Sequence, residues 1–263
     1  EVNVDQGVGY HLVGLADIAI KESSFRISAA LKNVGYKLPG KKITINMAPA
    51  DLRKEGSAYD LSIAIGILAA SDQIKAENLG DYIIMGELSL DGGLQPLKGI
   101  LPIAIKAREQ GFKGIILPKQ NTKEAAIVNS LEVYGVDNIK EVIDFFNEGI
   151  PLERTIIDTR KEFQDKINFF PFDFSEVKGQ ETAKRAMEVA AAGGHNIIII
   201  GPPGSGKTML AKRVPSILPP LTLKEALETT KIHSVSGKMG TNTSLLTVRP
   251  FRAPHHTISY VAF

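Results

Sequence analysis

The 263-residue sequence contains no cysteine. This absence excludes disulfides, thiolate metal sites and a cysteine nucleophile, and it fits a reducing, cytoplasmic compartment. Long apolar segments are missing as well, since the longest nearly apolar run, residues 63–70, is far shorter than the roughly 18 residues that a membrane span needs. No secretory signal peptide is visible. We therefore expect a cytoplasmic protein that does not enter a membrane.

A large excess of charge of either sign is also missing, because the formal net charge is +2 and the sequence pI is about 8.6. This balance neither requires nor excludes nucleic acid as a partner, since a local basic surface can exist on a near-neutral chain. The hydrophobic content of 43% and the length are typical of a folded protein of about two domains. The chain starts at Glu1 rather than at Met, so we expect it to be a fragment.

Residues 201–208 carry the most specific motif, because Gly-Pro-Pro-Gly-Ser-Gly-Lys-Thr matches the phosphate-binding pattern G-x-x-x-x-G-K-[ST]. Residues 196–200 are Asn196 followed by four isoleucines, and this apolar, β-branched run predicts a buried parallel strand before the motif. Residues 207–213 predict a helix after it. The glycines allow backbone N–H groups to surround a phosphate. We expect Lys207 to reach the β- and γ-phosphates and the Thr208 hydroxyl to hold Mg²⁺.

Alternating helix and strand patterns predict a mixed α/β first domain over residues 1–150. The predicted helices are 23–33, 60–70, 100–110, 123–129 and 138–147, and the predicted strands are 42–47, 82–90, 114–117 and 131–134. Residues 151–170 have clustered charges between two prolines and predict a linker. A second domain, 171–263, then begins with a predicted helix over residues 181–192.

Towards the end of the sequence, Thr222 and Glu225 form a capping-box pattern that opens another predicted helix. Residues 236–250 predict a polar loop or hairpin. His255 and His256 invite a metal interpretation, but adjacent residues of an extended strand point to opposite faces, so we do not expect a shared metal ion. A structural role or a subunit contact is the favoured interpretation of this pair.

The segment before the phosphate motif also follows a recognisable sequence pattern. Residues 174–184 follow the pattern F-x-x-V-x-G-Q-x-x-A-K, which resembles the segment that lies over the adenine in AAA+ ATPases. Further runs are A-A-A-G-G-H-N at 190–196, I-L-P-P-L at 217–221 and R-P-F-R-A-P-H-H-T-I-S at 249–259. With these runs, the chain resembles the magnesium-chelatase-like AAA+ family of the ComM and YifB type.

This resemblance implies a P-loop AAA+ domain of three αβα layers, truncated in this chain, that uses ATP and Mg²⁺. It implies that the backbone near Val177 and Gly179 contacts the base and that Lys207 and Thr208 are catalytic. The implied nucleotide contacts are Val177, Gly179, Gly201, Pro202, Pro203, Gly204, Ser205, Gly206, Lys207, Thr208 and Met209. The acidic pair, polar sensor and arginine finger of the family do not occur here, so we expect this fragment to hydrolyse ATP poorly.

The first domain resembles the α+β proteolytic domain of Lon, a fold also carried by the recombination protein RadA. The matching stretches are residues 46–56 and 86–92. Aligning the serine and lysine of Lon places Ala58 and Leu101 at the two catalytic positions, and neither side chain can do that chemistry. Ser57 is one residue away and Lys98 three, so a gap in the alignment would restore them. We expect the domain to be non-proteolytic.

Four functions are weighed on these features. The resemblance implies a homo-oligomeric ring, a hexamer, that drives DNA branch migration during natural transformation. The alternatives are a chelatase-type ATPase that remodels a partner protein, a Lon-like protease and a non-catalytic scaffold. Candidate residues for a sequence-independent DNA surface are Lys41, Lys42, Arg53 and Lys54, with a solvated charged face as the equal alternative.

Overall fold

The computed structural model describes residues 1–75, 77–167, 170–240 and 243–254. None of the helices in these four ranges is long and apolar enough to cross a membrane. The described chain forms two compact units, which are treated separately below.

The first unit comprises Glu1–Asp158 and Thr230–Ser244. The second comprises Thr159–Thr229 and the described segment that starts at Leu245. The second unit therefore differs from the predicted domain 171–263, because residues 230–244 make their contacts within the first unit.

The first unit contains two three-stranded sheets and a short hairpin. In the first sheet β3 lies in the centre, antiparallel to β1 and parallel to β2. In the second sheet β7 lies between β4 and β8, and all three strands are parallel. The hairpin pairs β5 with β6. The strands are β1 (Val2–Asp5), β2 (Gly9–Val13), β3 (Lys42–Asn46), β4 (Tyr82–Ile84), β5 (Glu87–Leu88), β6 (Leu94–Gln95), β7 (Gly114–Pro118) and β8 (Glu132–Val136).

Helices connect the parallel strands, as a mixed α/β unit requires. They are α1 (Ile18–Lys21), α2 (Ser23–Asn33), α3 (Asp60–Ala70), α4 (Ile100–Glu109), α5 (Thr122–Ala125) and α6 (Ile139–Glu148). The most deeply packed is α3, in which Ile65 and Leu68 are fully buried. Ile45 of β3 and Ile116 of β7 belong to the same hydrophobic cluster as α3, so both sheets share one core.

Most elements of the first unit agree with the sequence-based expectation. The predicted helices 23–33 and 60–70 are confirmed as α2 and α3. The predicted strand 82–90 is wrong, because it divides into β4 and β5, which lie in different sheets. The backbone separates there: Met85 N donates to Ile116 O at 3.0 Å, whereas Gly86 N donates to Ala58 O at 2.9 Å. Strands β1 and β2 were not predicted.

A buried ion pair holds the helices of this unit together. Arg26 of α2 donates from Nε and Nη2 to the two carboxylate oxygens of Asp60 in α3, at 2.6 and 3.0 Å. Arg26 Nη2 also donates to Ala19 O in α1 at 2.8 Å, and Leu88 N of β5 donates to Asp60 at 3.3 Å. Burial raises the pKa of the Asp60 carboxyl, and the hydrogen bond from Arg26 opposes that shift. The Arg26–Asp60 pair thus joins four elements, with Arg26 making the bond to α1.

A second buried carboxylate attaches residues 230–244 to this unit. Glu124 accepts hydrogen bonds from Leu101 N, in the first turn of α4, at 2.9 Å and from the Ser234 hydroxyl. The Gly99 amide donates to Ser234 O at 3.0 Å. Glu124 therefore satisfies a backbone N–H group at a helix start while it binds a residue that is distant in sequence.

The second unit is helical in its described part. Its helices are α7 (Thr159–Lys166), α8 (Glu181–Gly193) and α9 (Lys207–Arg213), and α10 (Leu223–Val235) has residues in both units. The capping box of α10 is confirmed, since Glu225 N donates to the Thr222 hydroxyl at 3.2 Å and Thr222 N donates to Glu225 at 2.8 Å. Helix α7 lies inside the segment that was predicted as a linker.

Residues 196–200 were predicted as a buried strand, and this prediction is wrong. They are not a strand, and Ile198 and Ile200 are 83% and 87% exposed. The described part of the second unit contains no strand, so the segment has no sheet there to join. An apolar, β-branched run predicts the ability to pair, but a strand forms only where a neighbouring strand accepts its hydrogen bonds.

We predict that Asp60→Asn destabilises the chain by about 3 kcal/mol. The substitution leaves the partly buried Arg26 charge without its anion, and the value is at the low end for a buried pair because Arg26 retains some exposure. Urea unfolding followed by circular dichroism measures the change.

The matched control for this prediction is Glu109→Gln, which breaks the exposed Lys106–Glu109 pair at 3.2 Å. It should cost less than about 0.5 kcal/mol. Equal unfolding midpoints for wild type and Asp60→Asn would show that the buried pair does not stabilise the fold.

Candidate functional site

The phosphate motif forms a tight loop between residue 200 and α9. Gly204 and Gly206 adopt left-handed backbone angles, with φ of 80° and 83°, which strain residues that have a β-carbon. A β-carbon at Gly201 would lie 3.0 Å from the Ser205 hydroxyl oxygen. Ser205 N donates to Pro202 O at 3.3 Å and closes a turn inside the loop. The glycines therefore occur where the loop geometry needs them.

The Lys207 ammonium lies across this loop. Lys207 Nζ donates to the carbonyl oxygens of Gly201 and Pro202 at 2.7 and 2.8 Å and contacts the Ser205 hydroxyl at 3.4 Å. These partners are neutral oxygens. An anionic phosphate oxygen makes a stronger, charge-assisted hydrogen bond with an ammonium group, so it would compete well for these contacts.

The neighbouring predicted contacts are open to solvent. Pro203, Thr208 and Met209 are exposed, and Met209 keeps 37% of its surface accessible. The Thr208 side chain stands next to Lys207 in the first turn of α9. Thr208 is therefore open to solvent at the start of this helix.

The predicted base-contacting segment packs against the helices of this unit. Phe174 and Val177 are buried in one cluster with Met187 of α8 and Leu210 of α9. The whole Val177 residue is only 2% exposed, so its backbone and its side chain are both covered in this packing. Gly179 is exposed and left-handed, with φ of 67°.

Three side chains at this site were not predicted to act there. Gln180 donates from Nε2 to Ser205 O at 3.4 Å, and Arg213 of α9 pairs with Glu176 at 2.5 Å. The local motif G-Q pointed to Gln180, and its side chain reaches the loop. Glu176 and Arg213 are 37 positions apart, and no local pattern links them.

The Lon-like residues of the first unit do not form a serine–lysine pair in the positions that were aligned. Leu101 is fully buried in α4, and Ala58 uses its carbonyl to accept from Gly86 N at 2.9 Å. The neighbouring Ser57 donates its hydroxyl to the Glu87 carboxylate. The stem of Lys98 lies against Gly237, where an added β-carbon would be 2.7 Å from its Cε atom.

One of the four basic candidates for a DNA surface is placed differently from the expectation. Lys41, Lys42 and Arg53 are exposed, and Arg53 makes a surface pair with Glu55 at 3.0 Å. Lys54, in contrast, is only 9% exposed, and its ammonium donates to Pro49 O. Lys54 is therefore removed from the candidate surface, because its charge is directed inward to a backbone carbonyl.

The described residues near the end of the chain make contacts within the second unit. His255 and His256 lie outside the described residues. Arg249 of the second unit donates to Pro219 O at 2.9 Å and lies 3.6 Å from Glu225. In the described part of the chain, no group of three or more metal-ligating side chains is assembled.

Two family descriptions match the chain. The family described as "Subunit ChlI of Mg-chelatase" matches residues 1–121, and the family described as "Magnesium chelatase, subunit ChlI" matches residues 173–263. The two matches include most of both units.

Close relatives match along the whole chain. The competence protein ComM of Haemophilus influenzae is 42% identical over 269 residues, and the uncharacterized protein YifB of Escherichia coli is 43% identical over 263 residues. Each match covers 100% of this chain and 51% of the relative. The chain thus spans about half the length of the curated relatives that it matches.

A weaker likeness is consistent with the predicted Lon-like fold of the first half. Lon protease 2 of Bacillus subtilis is 28% identical over 150 residues, which cover 56% of this chain and 25% of that protein. The match covers only a part of each protein. It does not assign a catalytic role to Ala58 or Leu101, whose side chains lack the required groups.

We predict that the full-length protein does not cleave a casein-type peptide, because Ala58 and Leu101 occupy the aligned catalytic positions and Ser57 faces a carboxylate. Release of a fluorescent peptide measures cleavage. The decisive variants are Ser57→Ala and, as a control, Ser62→Ala, whose hydroxyl donates to Tyr59 O at 3.0 Å. Cleavage that is lost in Ser57→Ala and retained in Ser62→Ala would restore the protease interpretation.

Proposed function

Because the chain belongs to the magnesium-chelatase-like family of the ComM and YifB type, we propose that its second unit binds ATP with Mg²⁺ at residues 201–208. In the full-length protein this site hydrolyses ATP. The observation that carries the proposal is the Lys207 ammonium, which lies across a glycine loop with neutral oxygens as its partners.

Each part of the loop has a role in this proposal. Backbone N–H groups of the loop surround the phosphates, which the left-handed Gly204 and Gly206 make sterically possible. Lys207 exchanges its carbonyl partners for the β- and γ-phosphate oxygens, and Thr208 holds the metal ion. The backbone near Val177 and Gly179, where Gly179 is exposed, contacts the base. These roles follow the family pattern residue by residue.

We further propose that ATP hydrolysis moves DNA through a ring of identical subunits, a hexamer. The support is the match over the whole chain to a relative named competence protein ComM. The first unit would hold the DNA, because it combines a Lon-like fold with exposed Lys41, Lys42 and Arg53. The Arg53–Glu55 pair does not prevent this role, since exposed pairs are weak and a phosphate can replace the carboxylate.

The second candidate function is the remodelling of a partner protein during magnesium insertion. The description of the matching family as a subunit of Mg-chelatase favours it. The two candidates differ in one measurable property. A DNA motor binds DNA with strong salt dependence, whereas a chelatase-type ATPase does not need to bind DNA.

We predict that Lys207→Ala lowers the ATPase turnover of the full-length protein by about 100-fold or more, because a positioned cation no longer stabilises the charge of the transferred phosphate. Phosphate release at saturating ATP measures the turnover. The control is Lys212→Ala, which removes an exposed lysine from the same helix and should leave turnover unchanged. Normal turnover in Lys207→Ala would overturn the assignment of this loop.

We predict that alanine substitution of Lys41, Lys42 and Arg53 together weakens binding to branched and single-stranded DNA of any sequence. Phosphate contacts release counterions, so the log–log salt slope should become shallower by about 0.9 for each duplex phosphate contact that is lost. Titration of labelled DNA at several salt concentrations measures both effects. ATP hydrolysis without DNA should persist, because these residues are outside the nucleotide loop.

The control for the DNA prediction removes the same number of positive charges elsewhere on the first unit. Lys106, Lys119 and Lys140 are suitable, since each is exposed and pairs with a carboxylate. Their triple alanine variant should bind DNA like the wild type. A wild-type protein with no salt-dependent DNA binding at physiological ionic strength would favour the chelatase-type function instead.

A further inference from the structure

Residues 172–180 contain the proposed base-contacting positions Val177 and Gly179. They are attached to the C-terminal end of α9, and the phosphate loop lies at its N-terminal end. Arg213, the last residue of α9, donates from Nε and Nη2 to one carboxylate oxygen of Glu176, at 3.1 and 2.5 Å. The guanidinium carbon of Arg213 also lies 5.4 Å from the centre of the Phe172 ring, within the range of a cation–π contact. Arg213 therefore holds two residues of this segment.

A neutral hydrogen-bond relay supports the same attachment. The Ser216 hydroxyl, just after α9, donates to Arg213 O at 2.8 Å and accepts from Phe174 N at 2.9 Å. Phe174 and Leu210 pack in the same buried cluster, so apolar contacts and polar contacts act on the segment together. These hydrogen bonds fix the orientation of Phe174 relative to the end of α9, because Ser216 contacts a backbone atom on each side.

The other end of the segment reaches the phosphate loop. Gln180 has a left-handed backbone, with φ of 56°, and its side chain donates to Ser205 O at 3.4 Å. Residues 172–180 thus contact both ends of α9: the loop that precedes it and the arginine that ends it. The helix between these ends has a rise of roughly 9 Å from Lys207 to Arg213.

From this arrangement we propose that Arg213, acting through Glu176, is a positioning residue for the nucleoside part of the ligand. The inference rests on the proposed function, since it assumes a nucleotide on the 201–208 loop. Lys207 at the start of α9 fixes the phosphates, and Arg213 at its end fixes the distance and angle at which Val177 and Gly179 meet the base. Together, Lys207 and Arg213 make the site selective for nucleotides over polyphosphates that have no base.

Ligands with and without a base should depend differently on the Glu176–Arg213 pair. A ligand without a base uses the loop, Lys207 and Mg²⁺, and its affinity should depend little on the Glu176–Arg213 pair, which does not contact the loop. A ligand with a base also uses this segment, and it must order the segment itself when the Glu176–Arg213 pair is broken. The loss should therefore appear for ATP and not for inorganic tripolyphosphate.

The test measures the affinity of the full-length protein for a fluorescent ATP analogue and for inorganic tripolyphosphate, both with Mg²⁺. Arg213→Ala should weaken binding of the ATP analogue by about tenfold and leave tripolyphosphate binding within about twofold of the wild type. Glu176→Gln is the milder variant, which retains the shape of the side chain and should shift the two affinities in the same unequal way. Turnover at saturating ATP should change less than KM.

Two controls sharpen this test. Arg185→Ala breaks the exposed Arg185–Glu188 pair of α8, at 3.1 Å, and should change neither affinity. The reversed pair, Glu176→Arg with Arg213→Glu, should recover part of the affinity for the ATP analogue, because the ion pair is restored with opposite polarity.

Two results would overturn the inference alone: equal weakening of both ligands by Arg213→Ala, which indicates a merely structural residue, or no weakening of either. A wild-type protein that binds neither ligand would instead overturn the nucleotide site on which the inference rests. Lys207→Ala distinguishes the cases, since it should weaken ATP and tripolyphosphate together if the loop binds phosphate.

Discussion

The buried ion pair between Arg26 and Asp60 is the interaction on which the first unit depends. It joins α1, α2, α3 and β5, and these elements surround the core that both sheets share. The pair has two strong, nearly parallel hydrogen bonds, which compensate for much of the cost of removing both charges from water. Asp60 also follows directly on the segment 54–59, which contains Ala58, the position that aligns with the nucleophile of Lon. The ion pair therefore anchors the helix that begins next to this aligned position.

The second unit has a different organisation, with a small core and a long list of polar contacts. Phe174, Val177, Met187 and Leu210 form the buried cluster, while the glycine loop and residues 196–200 are largely exposed. In the function proposed above, the geometry of the nucleotide site comes from one short helix, α9. This helix follows the glycine loop at one end and pairs with Glu176 through Arg213 at the other.

The sequence was informative wherever structure and chemistry depend on neighbouring residues. The helices that end in glycine and the capping box at Thr222 were predicted because their signals are local. The phosphate motif at residues 201–208 is equally local in sequence, and its role in binding phosphate stays a prediction. The prediction of a strand at residues 196–200 was wrong because strand pairing depends on other segments of the chain. The prediction that Lys54 is a surface charge was wrong because its burial depends on the tertiary fold. The Glu176–Arg213 pair could not be predicted from the sequence, because its two residues are 37 positions apart and meet only in the tertiary structure.

The bond between Glu124 and Ser234 has a consequence for how the protein is made. These residues are 110 positions apart, and the whole phosphate loop is synthesised between them. When the chain has been synthesised only to residue 158, Glu124 can accept from Leu101 N but still lacks its second donor, the Ser234 hydroxyl. That unit reaches its final set of bonds only after the ribosome has also delivered most of the second, so the two units cannot mature strictly one after the other.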